Sequence, residues 1–195
     1  MSEKRDIATR MAGNQKQASI SEFFEKNKHF LGFDSLHRSL ITAVKEAVDN
    51  ALDACEEARI LPDIKIGIRK ADPKRDVIEL EVEDNGPGIP RDSIAKVFGQ
   101  LLFGSRFHAI RQSRGQQGIG ITGVVMYSQL TTGKPTHVRS KIASETTAVE
   151  MELGLDTKSN KAIKSKEQRV PWVREDGTEK VSGLNVRCRM KALSL

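Results

Sequence analysis

Apolar residues recur at helical spacing over 35–59, at Leu36, Leu40, Val44, Val48, Leu52 and Cys55, with no glycine or proline between them, and the pattern predicts an amphipathic helix. The period then changes to two. Ile64, Ile66 and Ile68 alternate with polar residues over 63–69, and Ile78, Leu80 and Val82 do the same over 77–83. With the turn-forming run ADPKRD between them, these segments predict a β-hairpin whose second strand delivers Asp84. A short helix is expected over 94–103 and another along the apolar run 119–130. Three further alternating segments, 136–143, 146–154 and 181–190, read as strands. The polar stretch 1–18 has no clear period and reads as an arm preceding one domain over 19–195. Segment 156–180 carries Lys158, Lys161, Lys164, Lys166, Arg169, Arg174 and Lys180 with few apolar residues. It is expected as a solvated loop, with a DNA-contacting loop as the alternative.

Composition narrows the class without deciding it. The chain has 195 residues, of which 37% are hydrophobic, enough to bury a full core, and its net charge of +6 favours polyanionic company. An ordinary basic protein has the same balance. Cys55 and Cys188 fall in a helix and a late strand and read as reduced core residues. His29, His37, His108 and His137 lack metal-ligand spacing, and no Ser/His/Asp set suggests a hydrolase triad. No signal peptide is recognisable and no apolar run approaches the ~20 residues of a membrane span, so a cytoplasmic location without membrane partners is expected.

Candidate chemistry lies at three places. Glu46, Asp49, Asn50 and Asp53 fall at i, i+3, i+4 and i+7 of the first helix and share one polar face. This is either a solvated acidic face or a set that polarises a metal ion or a water; no Lys or Arg stands at i+4 from Glu46 or Asp49, which leans toward the second. A carboxylate among like charges keeps a raised proton affinity, which suits a general base. In DNGPGIP, 84–90, Gly86 and Gly88 let the backbone turn sharply, and an ionised Asp84 selects a ligand edge that presents an amine, such as that of adenine. A plain turn after a strand is the other reading. In RGQQGIGIT, 114–122, Gly115, Gly118 and Gly120 free backbone N–H groups at the start of a helix, where phosphate oxygens bind. The loop is neither a Walker motif nor a dinucleotide fingerprint.

Taken together, Glu46 and Asn50, Asp84 with Gly86 and Gly88, and 115–120 resemble the boxes of the GHKL ATPases, which include gyrase-type topoisomerases, heat-shock chaperones, mismatch-repair ATPases and histidine kinases. The segments FGQLLFGSRFHAIRQSRGQQGIG, 98–120, and ISEFFEKNKHFLGFD, 20–34, resemble the B subunits of archaeal type IIB DNA topoisomerases. The resemblance implies an α/β two-layer sandwich, a mixed, mostly antiparallel sheet with helices on one face. It implies ATP and Mg²⁺ as cofactors, with Glu46 as the general base that activates water and Asn50 as the Mg²⁺ ligand. Asp84 would read adenine with Gly86 and Gly88 at its turn, Ser105 and Arg106 would lie at the nucleotide lid, and Arg114, Gly115, Gln116, Gln117, Gly118, Ile119, Gly120 and Ile121 would wrap the phosphates. The implied activity is that of the ATPase component of a DNA topoisomerase, with ATP-driven dimerisation of two copies gating duplex passage and the polar arm serving as an exchanged strap. Double-stranded DNA and a DNA-cleaving A subunit carrying the nucleophilic tyrosine are the implied partners, since the sole Tyr127 falls in a predicted apolar helix. A distal lysine that reaches the γ-phosphate is expected from a following domain. The last box departs from the pattern: Gly183 is followed by Leu184 instead of a hydroxyl residue, with Ser182 before it. Another GHKL enzyme, mismatch-repair or kinase-like, and a non-enzymatic basic nucleic-acid-binding module remain the alternatives.

Overall fold

The structure is a computed structural model, and it describes residues 20–72, 74–99, 120–156 and 161–192. In chain order the elements are α1 (Ile20–Asn27), α2 (Leu36–Glu57), β1 (Ile64–Asp72), β2 (Val77–Asp84), α3 (Arg91–Gly99), α4 (Gly120–Thr132), β3 (Thr136–Lys141), β4 (Ala148–Asp156), β5 (Lys161–Val170) and β6 (Gly183–Lys191). The strands form one six-stranded sheet in the order β1-β2-β6-β3-β4-β5. Each of its pairings is antiparallel, in keeping with the mostly antiparallel sheet expected.

Alternation along the inner strands β2, β6, β3 and β4 separates two faces, whereas the edge strands β1 and β5 are exposed along most of their length. Ile78, Leu80 and Val82 of β2, Val186, Cys188 and Met190 of β6, and Val149, Met151 and Leu153 of β4 are buried in one core with residues of all four helices, among them Phe24, Leu40, Phe98 and Val124. Each fully buried aliphatic or aromatic side chain contributes roughly 1.5–3 kcal/mol, so this layer dominates stability. Phe24, Phe33 and Tyr127 stack at one end of it, with centroids 5.0 to 6.4 Å apart. The Tyr127 hydroxyl donates to the Lys191 carbonyl at 2.9 Å, so this tyrosine is a core residue, as its place in the apolar helix suggested.

The opposite face carries charge in matched rows. Glu79 is bound by Arg189 at 2.6 Å and by Arg69. Glu150 accepts from Arg139 at 2.7 Å and from Gln168 at 2.9 Å. Such cross-strand partners hold register, because a one-residue slip would carry every one of them into the core.

The Lys-rich segment corrects an expectation. Residues 161–170 are not a loop but the edge strand β5, paired antiparallel to β4. Its side chains are spent on ion pairs: Lys166 with Glu152 at 2.9 Å, Arg169 with Glu145 at 2.5 Å, and Glu167 with Arg91 of α3. Lysines along an exposed edge also oppose pairing with a foreign strand. Gly99 of α3 packs on Ala162 so closely that a Cβ there would overlap the alanine, and β5 thereby seats the end of α3.

Candidate nucleotide site

Helix α2 is the backbone of the site. Ser35 caps it, its Oγ accepting from the Arg38 N–H at 3.2 Å. The deepest residues of its core stripe are Leu40, Ala43, Ala47, Ala51 and Cys55, whereas Val44, Val48 and Leu52 are half-buried. Small side chains on that stripe bring α2 close to its neighbours. As a result the polar face is not solvated: Glu46, Asp49 and Asn50 are half-buried and Asp53 is buried. One part of the sequence reading needs correction here. Asp49 does have a cation, Lys45, at i−4 rather than i+4, with Nζ 2.7 Å from Oδ2.

Glu46 faces the start of α4. A Cβ built on Gly120 would overlap the Glu46 Oε2, so the absence of a side chain at Gly120 is what admits the carboxylate. Burial pushes the Glu46 carboxyl above its ordinary range, Lys45 draws it back, and Asp49 adds to the rise. The Asn50 amide donates from Nδ2 to the Glu46 carbonyl at 2.7 Å. That bond fixes the amide plane and leaves Oδ1, the metal-seeking atom, without a hydrogen bond among the described residues. The first N–H groups of α4, from Gly120 and Ile121 onward, lack intrahelical acceptors by the geometry of any helix start.

Asp84 ends β2 and is 4% exposed. Both backbone bonds to it reach the same oxygen: Oδ1 accepts from Gly86 N–H at 2.9 Å and from Leu184 N–H at 3.2 Å. Oδ2 takes none of the hydrogen bonds among the described residues and is the oxygen left for a ligand amine. Burial raises the Asp84 carboxyl above its ordinary range, opposed by those two N–H groups and by Lys180. At the last box, where Leu184 follows Gly183, a main-chain N–H of β6 supports Asp84.

The turn after Asp84 is held by groups remote in sequence. Gly88 has φ +74°, and a Cβ on it would overlap the Lys141 carbonyl oxygen. Ser140 brackets the next residue, donating to the Ile89 carbonyl at 2.9 Å and accepting from its N–H at 2.7 Å. Asn85 ties the other side: Oδ1 accepts from Asp63 N–H at 2.8 Å and Nδ2 donates to the Leu61 carbonyl at 3.0 Å. Sequence reading missed Ser140, Leu184 and Asn85 as supports; of the three only Asn85, in a DNG turn, carried a local signal. A separate polar cavity of about 280 Å³, lined by Asp63, Lys65, Glu83, Asn85, Arg174, Glu175, Asp176 and Lys180, contains none of Glu46, Asn50 and Asp84.

The structure therefore brings Glu46, Asn50 and Asp49 to one face of α2 with Gly120 against Glu46, and builds Asp84, Gly86 and Gly88 into one braced turn beside Ala54 and Cys55 of the same helix. Ser105, Arg106, Arg114, Gly115, Gln116, Gln117, Gly118 and Ile119 lie outside the described residues, as does the arm 1–18. Among the described residues no group of three or more His, Cys, Asp and Glu gathers as a metal site, and no helix is long and apolar enough to cross a membrane.

The chain is similar in sequence to known proteins. Residues 36–157 match the family described as histidine kinase-, DNA gyrase B-, and HSP90-like ATPase. The chain is 54% identical over 186 residues to the B subunit of type 2 DNA topoisomerase 6 from Archaeoglobus fulgidus, covering 94% of this chain and 30% of that protein. It is 54% identical to the protein of the same name from Methanosarcina barkeri, covering 89% and 28%, and 56% identical to that of Natronomonas pharaonis, covering 88% and 21%. The chain thus spans less than a third of the curated relatives it matches. Among solved structures, the ATPase region of Saccharomyces cerevisiae topoisomerase II shares the fold with a TM-score of 0.51 at 17% identity, covering 78% of this chain and 38% of that one.

Proposed function

Because the chain belongs to the family of histidine kinase-, DNA gyrase B-, and HSP90-like ATPases, we propose that it is the ATP-binding and ATP-hydrolysing module from the B subunit of a cytoplasmic type IIB DNA topoisomerase. The observation that carries this reading is the seat of the Glu46 carboxylate against Gly120, which sets a base with raised proton affinity beside the N-terminus that would hold the phosphates.

In this reading Asp84 Oδ2 accepts from the exocyclic amine of adenine while Gly86 and Leu184 hold Oδ1 still. A guanine presents a carbonyl at that position, and two acceptors would face each other. The opening turn of α4, with Gly120 and Ile121, donates N–H groups to phosphate oxygens, and 114–119 would close around them. Glu46 takes the proton from the attacking water as the oxygen bonds to the γ-phosphorus and the bond from that phosphorus to its bridging oxygen breaks. The residues present fit Mg²⁺, which commonly takes one or two protein oxygens with the rest from phosphates and water; Asn50 Oδ1 would be the protein ligand, and the ion would neutralise phosphate charge.

The rest of the proposal concerns the longer protein. Two copies dimerise on ATP through the arm 1–18 and the lid at Ser105 and Arg106, capture a DNA duplex, and release on hydrolysis, while an A subunit supplies the tyrosine that cleaves DNA. The topoisomerase 6 name of relatives at 54% identity supports this over a kinase-like or mismatch-repair role. Pairing of the β5 cations with local carboxylates counts against a basic module that binds nucleic acid through 156–180.

Calorimetry with a non-hydrolysable ATP analogue and Mg²⁺ tests the site, and binding weaker than or equal to that of the GTP analogue would refute adenine reading by Asp84. Analytical ultracentrifugation tests the assembly. Removing residues 1–18 should leave analogue binding intact and weaken analogue-dependent dimerisation; a dimer that forms equally well without the arm removes the strap from the proposal.

A further inference from the structure

The segment between β5 and β6 folds back on itself. Val173 and Glu179 form an isolated bridge, and Lys180 N–H donates to the Trp172 carbonyl at 2.9 Å. Trp172, the chain's one tryptophan, is 4% exposed and lies between two cations, Lys180 Nζ at 4.4 Å and the Arg139 guanidinium at 5.7 Å from its ring centroid. Lys180 is itself 5% exposed, an unusual burial for a lysine. Its Nζ also binds Glu83 Oε1 at 2.7 Å, on the charged face of the sheet and directly before Asp84.

The end of the Lys180 side chain lies against Gly183, next to the Asp84 backbone. A Cβ on Gly183 would fall 2.7 Å from Lys180 Cε and would overlap the Asp84 carbonyl oxygen. Gly183, at φ +152°, is therefore the point where the lysine tip, the Asp84 backbone and the start of β6 meet, one residue before the Leu184 N–H that holds Asp84 Oδ1. Nothing in the nucleotide-binding boxes includes Lys180 or Trp172.

We propose that Lys180, braced on Trp172, is a positioning residue for adenine recognition that sets the place and the charge of Asp84 from behind the sheet. The inference rests on the reading of Asp84 given above. Three titratable groups are coupled to Asp84: Glu83 on its own strand, Lys180 on the 171–182 segment, and Cys55 on α2. Lys180 favours the ionised carboxylate, Glu83 disfavours it, and the pair leaves burial as the main opposing influence. Because Lys180 and Glu83 act in opposite directions, removing one or the other must move the Asp84 titration in opposite directions. A purely mechanical support would move it the same way in both.

The test follows the Asp84 carboxyl by carbon-13 NMR against pH in the nucleotide-free chain, beside calorimetry with the ATP analogue at pH 6 and pH 8. Lys180→Met should move the Asp84 midpoint up and weaken the analogue by a larger factor at pH 6 than at pH 8. Lys180→Arg, which keeps the cation, should restore the wild-type profile. Glu83→Gln, a milder change that leaves the lysine in place, should move the midpoint down and is readable even if Lys180→Met does not fold. An unchanged midpoint in Glu83→Gln and Lys180→Met, a shift of the same sign in both, or an equal loss of affinity at the two pH values overturns the inference. Midpoints that move as expected in a protein that binds ATP and GTP alike would instead refute the adenine reading and leave the coupling standing.

Discussion

Replacing Gly88 with alanine tests whether the turn after Asp84 is braced by main chain. Two penalties act at once. The φ of +74° lies in the left-handed region, where an L side chain costs roughly 1–2 kcal/mol. The added Cβ also overlaps the Lys141 carbonyl oxygen, lies 2.8 Å from its carbon, and stands 3.2 Å from the Gly183 carbonyl oxygen. These are atoms of β3 and β6; β3 is paired to both β4 and β6, so the strand cannot yield and the turn must. Forcing such contacts typically costs about 1–3 kcal/mol. The sum is roughly 2–5 kcal/mol. Gly133 supplies the control, because it has φ +69° with nothing within 4 Å of its Cβ position, and Gly133→Ala should cost only the conformational ~1–2 kcal/mol. Equilibrium urea unfolding of both variants isolates the crowding by difference, and Gly88→Ala should in addition weaken ATP-analogue binding while Gly133→Ala leaves it unchanged. Equal destabilisation by the two substitutions would show that the turn gives way freely and would refute the bracing by Lys141.

Glu46→Gln should bind the ATP analogue almost normally and hydrolyse ATP slower by on the order of 10² or more, measured by phosphate release in a complex carrying the remaining domains. Asp84→Asn should weaken ATP binding yet raise the Tm of the nucleotide-free protein. The sign follows from the raised Asp84 carboxyl: a group that binds its proton more tightly when folded lowers stability as pH rises through its folded titration, so the advantage of the asparagine should be present at neutral pH and vanish in acid. Burial likewise pushes the Cys188 thiol up to about 12, so its contribution to stability should be lost as pH climbs from about 9 toward that value, and iodoacetamide should label it only on unfolding. Arg59, at φ 57° just beyond α2, should be improved by glycine, and Arg59→Gly is expected to stabilise the fold by roughly 0.5–1 kcal/mol in the same urea assay.

Period alone specified α2 and the β1-β2 hairpin: α2 and β2 turn apolar residues to one core at fixed intervals, while Ile66 and Ile68 keep the period of a strand in β1 although each stays 48% exposed. The glycine boxes were also legible, since a turn at Gly88 and a bare Cα at Gly120 demand the residue itself. Other features depend on contacts that no window of sequence contains. Strand β5 lacks alternation because it lies at the sheet edge with nearly every side chain exposed, so only pairing with β4 makes it a strand. The acidic face of α2, which the sequence leaves between a solvated and a metal- or water-polarising reading, acquires its surroundings only when α4 packs against Glu46. Asp84 accepts from a residue 100 positions away, and Ile89 is clamped by one 51 positions away. A carboxylate's type can be read from the chain, but its burial, its partners and hence its proton affinity are properties of the surrounding space, which only the folded sheet and helices enclose.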